Sequence, residues 1–518
     1  MLRSLAAGAL PVVLALALSG CGLDDLADGG PEGLPSPTLS PSPVGPPDMN
    51  DAPSREDLAA YYDQTASWKK CRSDKLCATI KVPLDYAKPE GEQIELSLLK
   101  VSAGSSSQRV GSLVVNPGGP GSSGVDYAEQ ASHFFGSELR QAFDIVGFDP
   151  RGVGESTPVE CLSDDELDAF VASDPDPDNA DEIEQGDDML AAFGAGCVEK
   201  SGALASHVST VEAARDIDII RAVVGDKSLS YFGASYGTFL GATYADLFPE
   251  RVGRMVLDGA IDPSLSTEET NLVQAKGFET ALRAYVGRCV EEGGCFLGNT
   301  VDAGTERIRE FLDAVEATPI PGSDGREVEI GNAVLGIWAP LYDETNWPIL
   351  DAALKSAFEG NGRVLLMLSD AYTSRGPSAY LDNSLEALYA VNCLDQDDAI
   401  PADDVSGRVA EFEEASPTFG AIFAFGLSSC SQWPIDTGRV PAPIHAKGAA
   451  PILVVGTTRD PATPMEWAEA LADQLESGIL VRRDGDGHTG YNAGNKCVDN
   501  AVESYLVSGK VPDGEVSC

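Results

Sequence analysis

The chain contains only four histidines, so a catalytic imidazole can be sought by elimination. Its eleven cysteines form no Cys-x-x-Cys pair and no Cys/His cluster with ligand spacing, which argues against a metal site. Basic residues are scarce: 35 Lys+Arg stand against 82 Asp+Glu, a formal charge of −47. A phosphate backbone needs a basic patch and none is visible, so nucleic acid is excluded as a partner. Most of the surplus carboxylates read as a solvated surface that aids solubility; a minority could attract a cationic group such as a peptide amine. The Gly-x-x-x-x-Gly-Lys-Ser/Thr phosphate cradle is missing, as is any internal repeat. Beyond residue 18 no apolar run reaches membrane-spanning length.

What is present begins with a processing signal. Arg3 precedes an apolar stretch from Leu5 to Leu18, too short to span a bilayer and suited to a signal-peptide core. It ends in Leu18-Ser19-Gly20-Cys21, which looks like a bacterial lipobox. Residues 1–20 are therefore expected to be removed, with Cys21 acylated and holding the protein on the outer side of the cell membrane. The Pro/Ser-rich stretch 21–53 has no periodicity and reads as an extended tether. Setting Cys21 aside leaves ten cysteines that fall as neighbours: Cys71 and Cys77, Cys161 and Cys197, Cys289 and Cys295, Cys393 and Cys430, Cys497 and Cys518. Five sequential disulfides is the simplest pairing outside the cytoplasm, although spacing alone does not fix connectivity.

From residue 54 onward, short apolar runs alternate with helical patterns. Leu113–Val115 leads into a Gly-rich loop, Phe143–Phe148 into Asp149–Ser156, Ser228–Phe232 into Gly233, and Arg254–Leu257 into Asp258-Gly259. Val211, Ala214, Ile217, Ile220 and Val224 recur at helical spacing, with Thr210 as a predicted N-cap and Gly225 as a predicted stop. Strands alternating with helices imply an α/β fold with a mostly parallel sheet covered on both faces. The rhythm breaks over 263–446, which is helical and loop-rich, then resumes at Pro451–Gly456 and Gly478–Val481. The expected organisation is a sheet core over 54–262 and 447–518, interrupted by a helical lid over 263–446.

The chemistry centres on Gly233-Ala234-Ser235-Tyr236-Gly237, a Gly-x-Ser-x-Gly pentapeptide between an apolar run and a helix-like segment. Strand, sharp turn and helix in that order is the context of a nucleophile elbow. A serine hydroxyl needs a base oriented by a carboxylate. Of the histidines, His133 flanks a helix or loop, His207 precedes the Thr210 helix and His445 sits in a proline-bounded linker. His488 lies in a glycine-rich loop after the last predicted strand, where a catalytic side chain belongs in such a sheet. In the chain order Ser…Asp…His, Asp460 after the strand Ile452–Gly456 is the favoured carboxylate, with Asp258 as its rival. Asn116–Gly124, with four glycines, would bring backbone N–H groups to a developing oxyanion, and the Tyr236 N–H would be a second donor.

Asn116–Gly124, Asp149–Ser156, Gly233–Gly237, Thr458–Pro464 and Gly487-His488 together resemble the α/β-hydrolase family of proline iminopeptidases and actinobacterial tripeptidyl aminopeptidases. Exported, often lipid-anchored mycobacterial serine proteases belong to the same group. The resemblance runs over almost the whole mature chain, including Val82–Tyr86. It implies an α/β-hydrolase fold, a triad of Ser235, Asp460 and His488, an oxyanion hole from Gly119 and Tyr236, a helical lid and no cofactor. Pro117 stands where the shorter iminopeptidases carry histidine, which fits the larger exported branch and not strict proline specificity. Lid carboxylates bind the substrate amine in aminopeptidase relatives; Glu268 and Glu269 are the counterparts considered, against the alternative of a solvated acidic turn. The expected activity is peptide or protein cleavage through an acyl-enzyme. A carboxylesterase acting on envelope or lipid esters would use the same machinery, and a non-catalytic binding lipoprotein is the third class.

Overall fold

The computed structural model describes residues 57–435 and 437–518. The expected signal peptide, Cys21 and the tether 21–53 lie outside the described residues. Among the described residues no helix is long and apolar enough to cross a membrane.

Twelve strands follow in chain order: Lys69–Cys71 (β1), Lys75–Pro83 (β2), Gln93–Val101 (β3), Gly111–Asn116 (β4), Phe143–Phe148 (β5), Leu229–Ala234 (β6), Val252–Asp258 (β7), Ile320–Pro321 (β8), Glu327–Val328 (β9), Ile452–Arg459 (β10), Gly478–Asp486 (β11) and Val516–Ser517 (β12). Ten of them form one sheet in the order β1-β2-β3-β5-β4-β6-β7-β10-β11-β12. The pairs from β5 to β12 are parallel, whereas β1, β2 and β3 add an antiparallel edge.

The central strands are short apolar runs buried on both faces, as a doubly covered sheet requires. Side chains alternate between two cores. Val114, Tyr231, Leu257 and Val454 point into one, under the helices Thr210–Val223, Tyr236–Leu247 and Met465–Gln474. Val115, Phe232, Val256 and Val455 point into the other, under Gly124–Glu129, Ser137–Ala142 and Lys496–Ser508. The fold is therefore the expected α/β-hydrolase architecture. Ser209, not Thr210, is the N-cap of Thr210–Val223, because the Thr210 hydroxyl is taken by Asp395 and Tyr236.

Between β7 and β10 the chain is mainly helical, with β8 and β9 as a small hairpin. Thr267–Glu292, Val301–Ala317, Ile330–Leu341 and Trp347–Phe358 share their own core around Leu282, Ile308, Ile337 and Leu350. Ser384–Asp395 instead packs Ala387, Ala390 and Val391 into the sheet-side core. The helix Asp164–Ala172, from between β5 and β6, meets this insertion: a β-carbon on Gly331 would lie 2.3 Å from the Val171 carbonyl. All five cysteine pairs are disulfides, Cys71–Cys77, Cys161–Cys197, Cys289–Cys295, Cys393–Cys430 and Cys497–Cys518.

The Asp149–Ser156 motif is structural scaffolding for the loops above the sheet. Arg151 is fully buried and donates twice to Asp216, each at 2.7 Å, and to the carbonyls of Pro83, Leu84 and His207. Tyr86 adds a 2.6 Å bond to the same carboxylate. Asp149 accepts from Ser123 Oγ, Val125 N and Glu155 N, fixing the exit of the Gly-rich loop. Removing one member of a buried pair strands the other charge. Asp216→Ala is expected to lower unfolding free energy by about 3–5 kcal/mol in urea titrations. A loss below about 1 kcal/mol would mean that Arg151 finds water or another acceptor.

Candidate active site

Ser235 sits at the junction of β6 and the helix Tyr236–Leu247 with φ +55° and ψ −126°. A side chain in that region is strained and persists only where its surroundings hold it. Here the Ser235 N–H donates to the Asp258 carbonyl at 2.9 Å, and the Ser235 carbonyl accepts from the amide and hydroxyl of Thr238. The flanking glycines are sterically required. A β-carbon at Gly233 would lie 2.2 Å from the Gly237 carbonyl, and one at Gly237 would lie 2.8 Å from the Asn116 carbonyl.

His488 follows β11 and is held by both its ring and its backbone. Its Nδ1 lies 2.9 and 3.0 Å from the two Asp460 oxygens, and its backbone N–H donates to the Tyr342 carbonyl at 2.7 Å. The Tyr342 ring meets the imidazole edge-on at 5.2 Å. Asp460, after β10, has no exposed side-chain surface and accepts from Ala462 N, Thr463 N, Thr463 Oγ1 and Thr489 N. The rival Asp258 does a different job: its carboxylate accepts from Gly490 N at 2.7 Å and Tyr491 N at 2.9 Å, anchoring the His488 loop to the end of β7. Burial pushes the Asp258 carboxyl up to about 6, against those two amides and His488. Ser235 and His488 both meet this same strand end. Asp258 holds the Ser235 amide, and a β-carbon on its neighbour Gly259 would lie 3.3 Å from His488 Cε1. No Ser235–His488 hydrogen bond is formed here; such bonds are often long without substrate and tighten when it binds.

The Gly-rich loop lies directly on the elbow. Gly118, Gly119 and Gly121 all have φ near +100°, and a β-carbon at Gly118 would meet the Ala234 carbonyl at 2.6 Å, Ser235 Cβ at 2.9 Å and Tyr236 N at 3.0 Å. Ser235, Tyr236, Gly119 and His488 line one cavity of about 1400 Å³, between the sheet edge and the helical cover. His133 packs on its neighbour Phe134 and His445 bonds the Gln474 carbonyl, away from the cavity; His207 lines the cavity too, but its Nδ1 is taken by Glu212.

Glu268 and Glu269 lie off the cavity, in keeping with the alternative of a solvated acidic turn. Glu269 closes the capping box with Ser266 at the start of the helix Thr267–Glu292, and Glu268 pairs with Arg408 at 2.8 Å on the surface. That helix faces the cavity with Thr267, Thr270, Asn271 and Gln274 instead. Sequence reasoning also passed over Asp395, a buried carboxylate bound by Arg439 and by the amide and hydroxyl of Thr210, whose hydroxyl also meets Tyr236 Oη at 2.5 Å. No local pattern marks it, since its partners lie 44 and 185 residues away.

Comparison with known proteins agrees with this fold. Residues 111–314 match the family described as alpha/beta hydrolase fold, and residues 416–518 match that described as TAP-like protein. The chain is 36% identical over 456 residues to the serine protease Hip1 of Mycobacterium tuberculosis, covering 86% of this chain and 87% of that one. The chain belongs to the α/β-hydrolase family that includes Hip1. It is also 36% identical over 454 residues to Carboxylesterase B of the same organism (85% and 86% covered), and 30% identical over 453 residues to the tripeptidyl aminopeptidase of Streptomyces lividans (85% and 83% covered).

The electrostatics of this hydrolase give a pH signature. Burial opposes charge on His488, but the Asp460 carboxylate outweighs it by charge and hydrogen bond, with a smaller contribution from Asp258, and the imidazole pKa rises above 6.5. A raised folded-state pKa stabilises the fold fully below the unfolded value, and that contribution fades as pH rises through the folded one. A base must be neutral, so activity runs the other way. The acidic limb of kcat/KM is expected above pH 6.5. In Asp460→Asn that limb moves down and kcat falls by about 10⁴. An unmoved limb with kcat within about tenfold of wild type would contradict the assignment of Asp460.

Proposed function

We propose that this serine hydrolase cleaves peptides through a triad of Ser235, His488 and Asp460. With Nδ1 held by Asp460, Nε2 is the ring nitrogen left to take the Ser235 proton and later to protonate the leaving amine. The Ser235 alkoxide attacks the scissile carbonyl, and the Gly119 and Tyr236 N–H groups receive the oxyanion of the tetrahedral intermediate. Collapse expels the amine and leaves an acyl-enzyme, which water cleaves by the same route in reverse. The observation that carries this reading is the buried Asp460–His488 grip, bound to the same strand end as the strained Ser235 turn. Relatives named serine protease and tripeptidyl aminopeptidase support peptides as substrates. Equal identity to a relative named carboxylesterase keeps envelope or lipid esters as the second reading. The Leu5–Cys21 signal supports export and a lipid anchor at Cys21, which would hold the catalytic domain at the outer face of the cell membrane.

Fluorophosphonate labelling of wild type and Ser235→Ala tests the nucleophile. Wild type is expected to label stoichiometrically and the variant not at all, with kcat reduced by about 10⁵–10⁶. Labelling that persists in the variant would place the nucleophile elsewhere. Hydrolysis of free-amine peptides, amine-blocked peptides and short-chain esters then separates the substrate classes. Peptides turned over faster than esters support the peptidase; esters alone support the esterase.

A further inference from the structure

The cavity is lined by a cation that no protein group bonds among the described residues. Arg215, on the helix Thr210–Val223, is only 6% exposed and lines the same cavity as Ser235. It makes no hydrogen bond or ion pair among the described residues, and its Nε is buried without a partner. The face of Tyr86 lies 5.5 Å from the guanidinium carbon, and the Glu212 carboxylate acts on it through charge without bonding it. Burial pulls its pKa below the ordinary guanidinium value. The nearby carboxylates are committed to others. Glu212 is held by His207 and Ser209, Asp216 by Arg151 and Tyr86, and Asp246 by the Ala446 amide. In a chain with 82 acidic residues and 35 basic ones, a buried arginine left without a carboxylate is conspicuous.

We infer that Arg215 binds a carboxylate of the substrate. This deepens the peptidase reading and rests on it. Arg215 and Ser235 line the same cavity, so a peptide with its scissile carbonyl at Ser235 can extend toward the guanidinium. A planar fork of N–H donors matches a carboxylate bidentately, and a site built for a charged partner discriminates strongly against its neutral isostere. The carboxylate is either a peptide C-terminus or an aspartate or glutamate side chain.

The test measures kcat/KM for peptide pairs differing in one charge: C-terminal acid against C-terminal amide, and Glu against Gln at each successive position along the peptide. One carboxylate member is expected to be favoured by about ten- to a hundredfold, and the pair that responds identifies the source. Arg215→Gln should bring that ratio close to one. Arg215→Lys, which keeps charge but not the fork, should leave a reduced ratio, and it decides the question if the glutamine variant does not fold. Ratios near one for both pairs in wild type, or a ratio that survives in Arg215→Gln, overturn the inference. A parallel series of 4-nitrophenyl half-esters of dicarboxylic acids against matching alkyl esters separates the two readings. Charge preference on esters without peptide cleavage removes the peptidase and keeps the Arg215 site. Peptide cleavage with no charge preference does the reverse.

Discussion

The Asp460 carboxylate is the fixed point of this molecule. It is shut away from solvent and receives five donors: two backbone amides and a hydroxyl from its own turn, the Thr489 amide, and His488 Nδ1. A charge buried this way is tolerable only when every lone pair is used, and using them locks the geometry. Because Thr489 and His488 are adjacent, one carboxylate sets both the loop and the ring it carries. The imidazole can therefore neither flip nor change tautomer without giving up its Nδ1 bond to a carboxylate that is itself held fixed.

The sheet supplies the rest of the alignment. β6, β7 and β10 end side by side, so the elbow, Asp258-Gly259 and the Asp460 turn arrive at one edge without any long-range search. Asp258 couples them, its carbonyl on Ser235 and its carboxylate on the loop beyond His488. Glycine is required wherever backbone meets backbone, at Gly118, Gly233 and Gly237. The helical insertion then roofs this edge, and the Tyr342 carbonyl ties it to the His488 amide.

Much of this was legible because the chemistry is local. A Gly-x-Ser-x-Gly turn between a strand and a helix, a histidine in a loop after the last predicted strand and a glycine run after β4 are readable from a few residues each. The α/β rhythm was legible for the same reason: the central strands are unbroken apolar runs. What escaped depends on distant partners. The antiparallel strands β2 and β3 hold their apolar residues against helices far along the chain. Glu268 and Glu269 look like site residues by position, but Ser266 and Arg408 claim them. Asp395 and Arg215 sit in helices whose periodicity reveals no function, and only the cavity shows what surrounds them.

The central claim is geometric, so the most direct measurement is a crystal structure of the protein after reaction with a phosphonate. The account predicts phosphorus bonded to Ser235 Oγ, its phosphoryl oxygen about 3 Å from the N–H groups of Gly119 and Tyr236, and His488 Nε2 facing the departed group while Asp460 keeps Nδ1. An adduct on another residue, or a phosphoryl oxygen turned away from both amides, would contradict it.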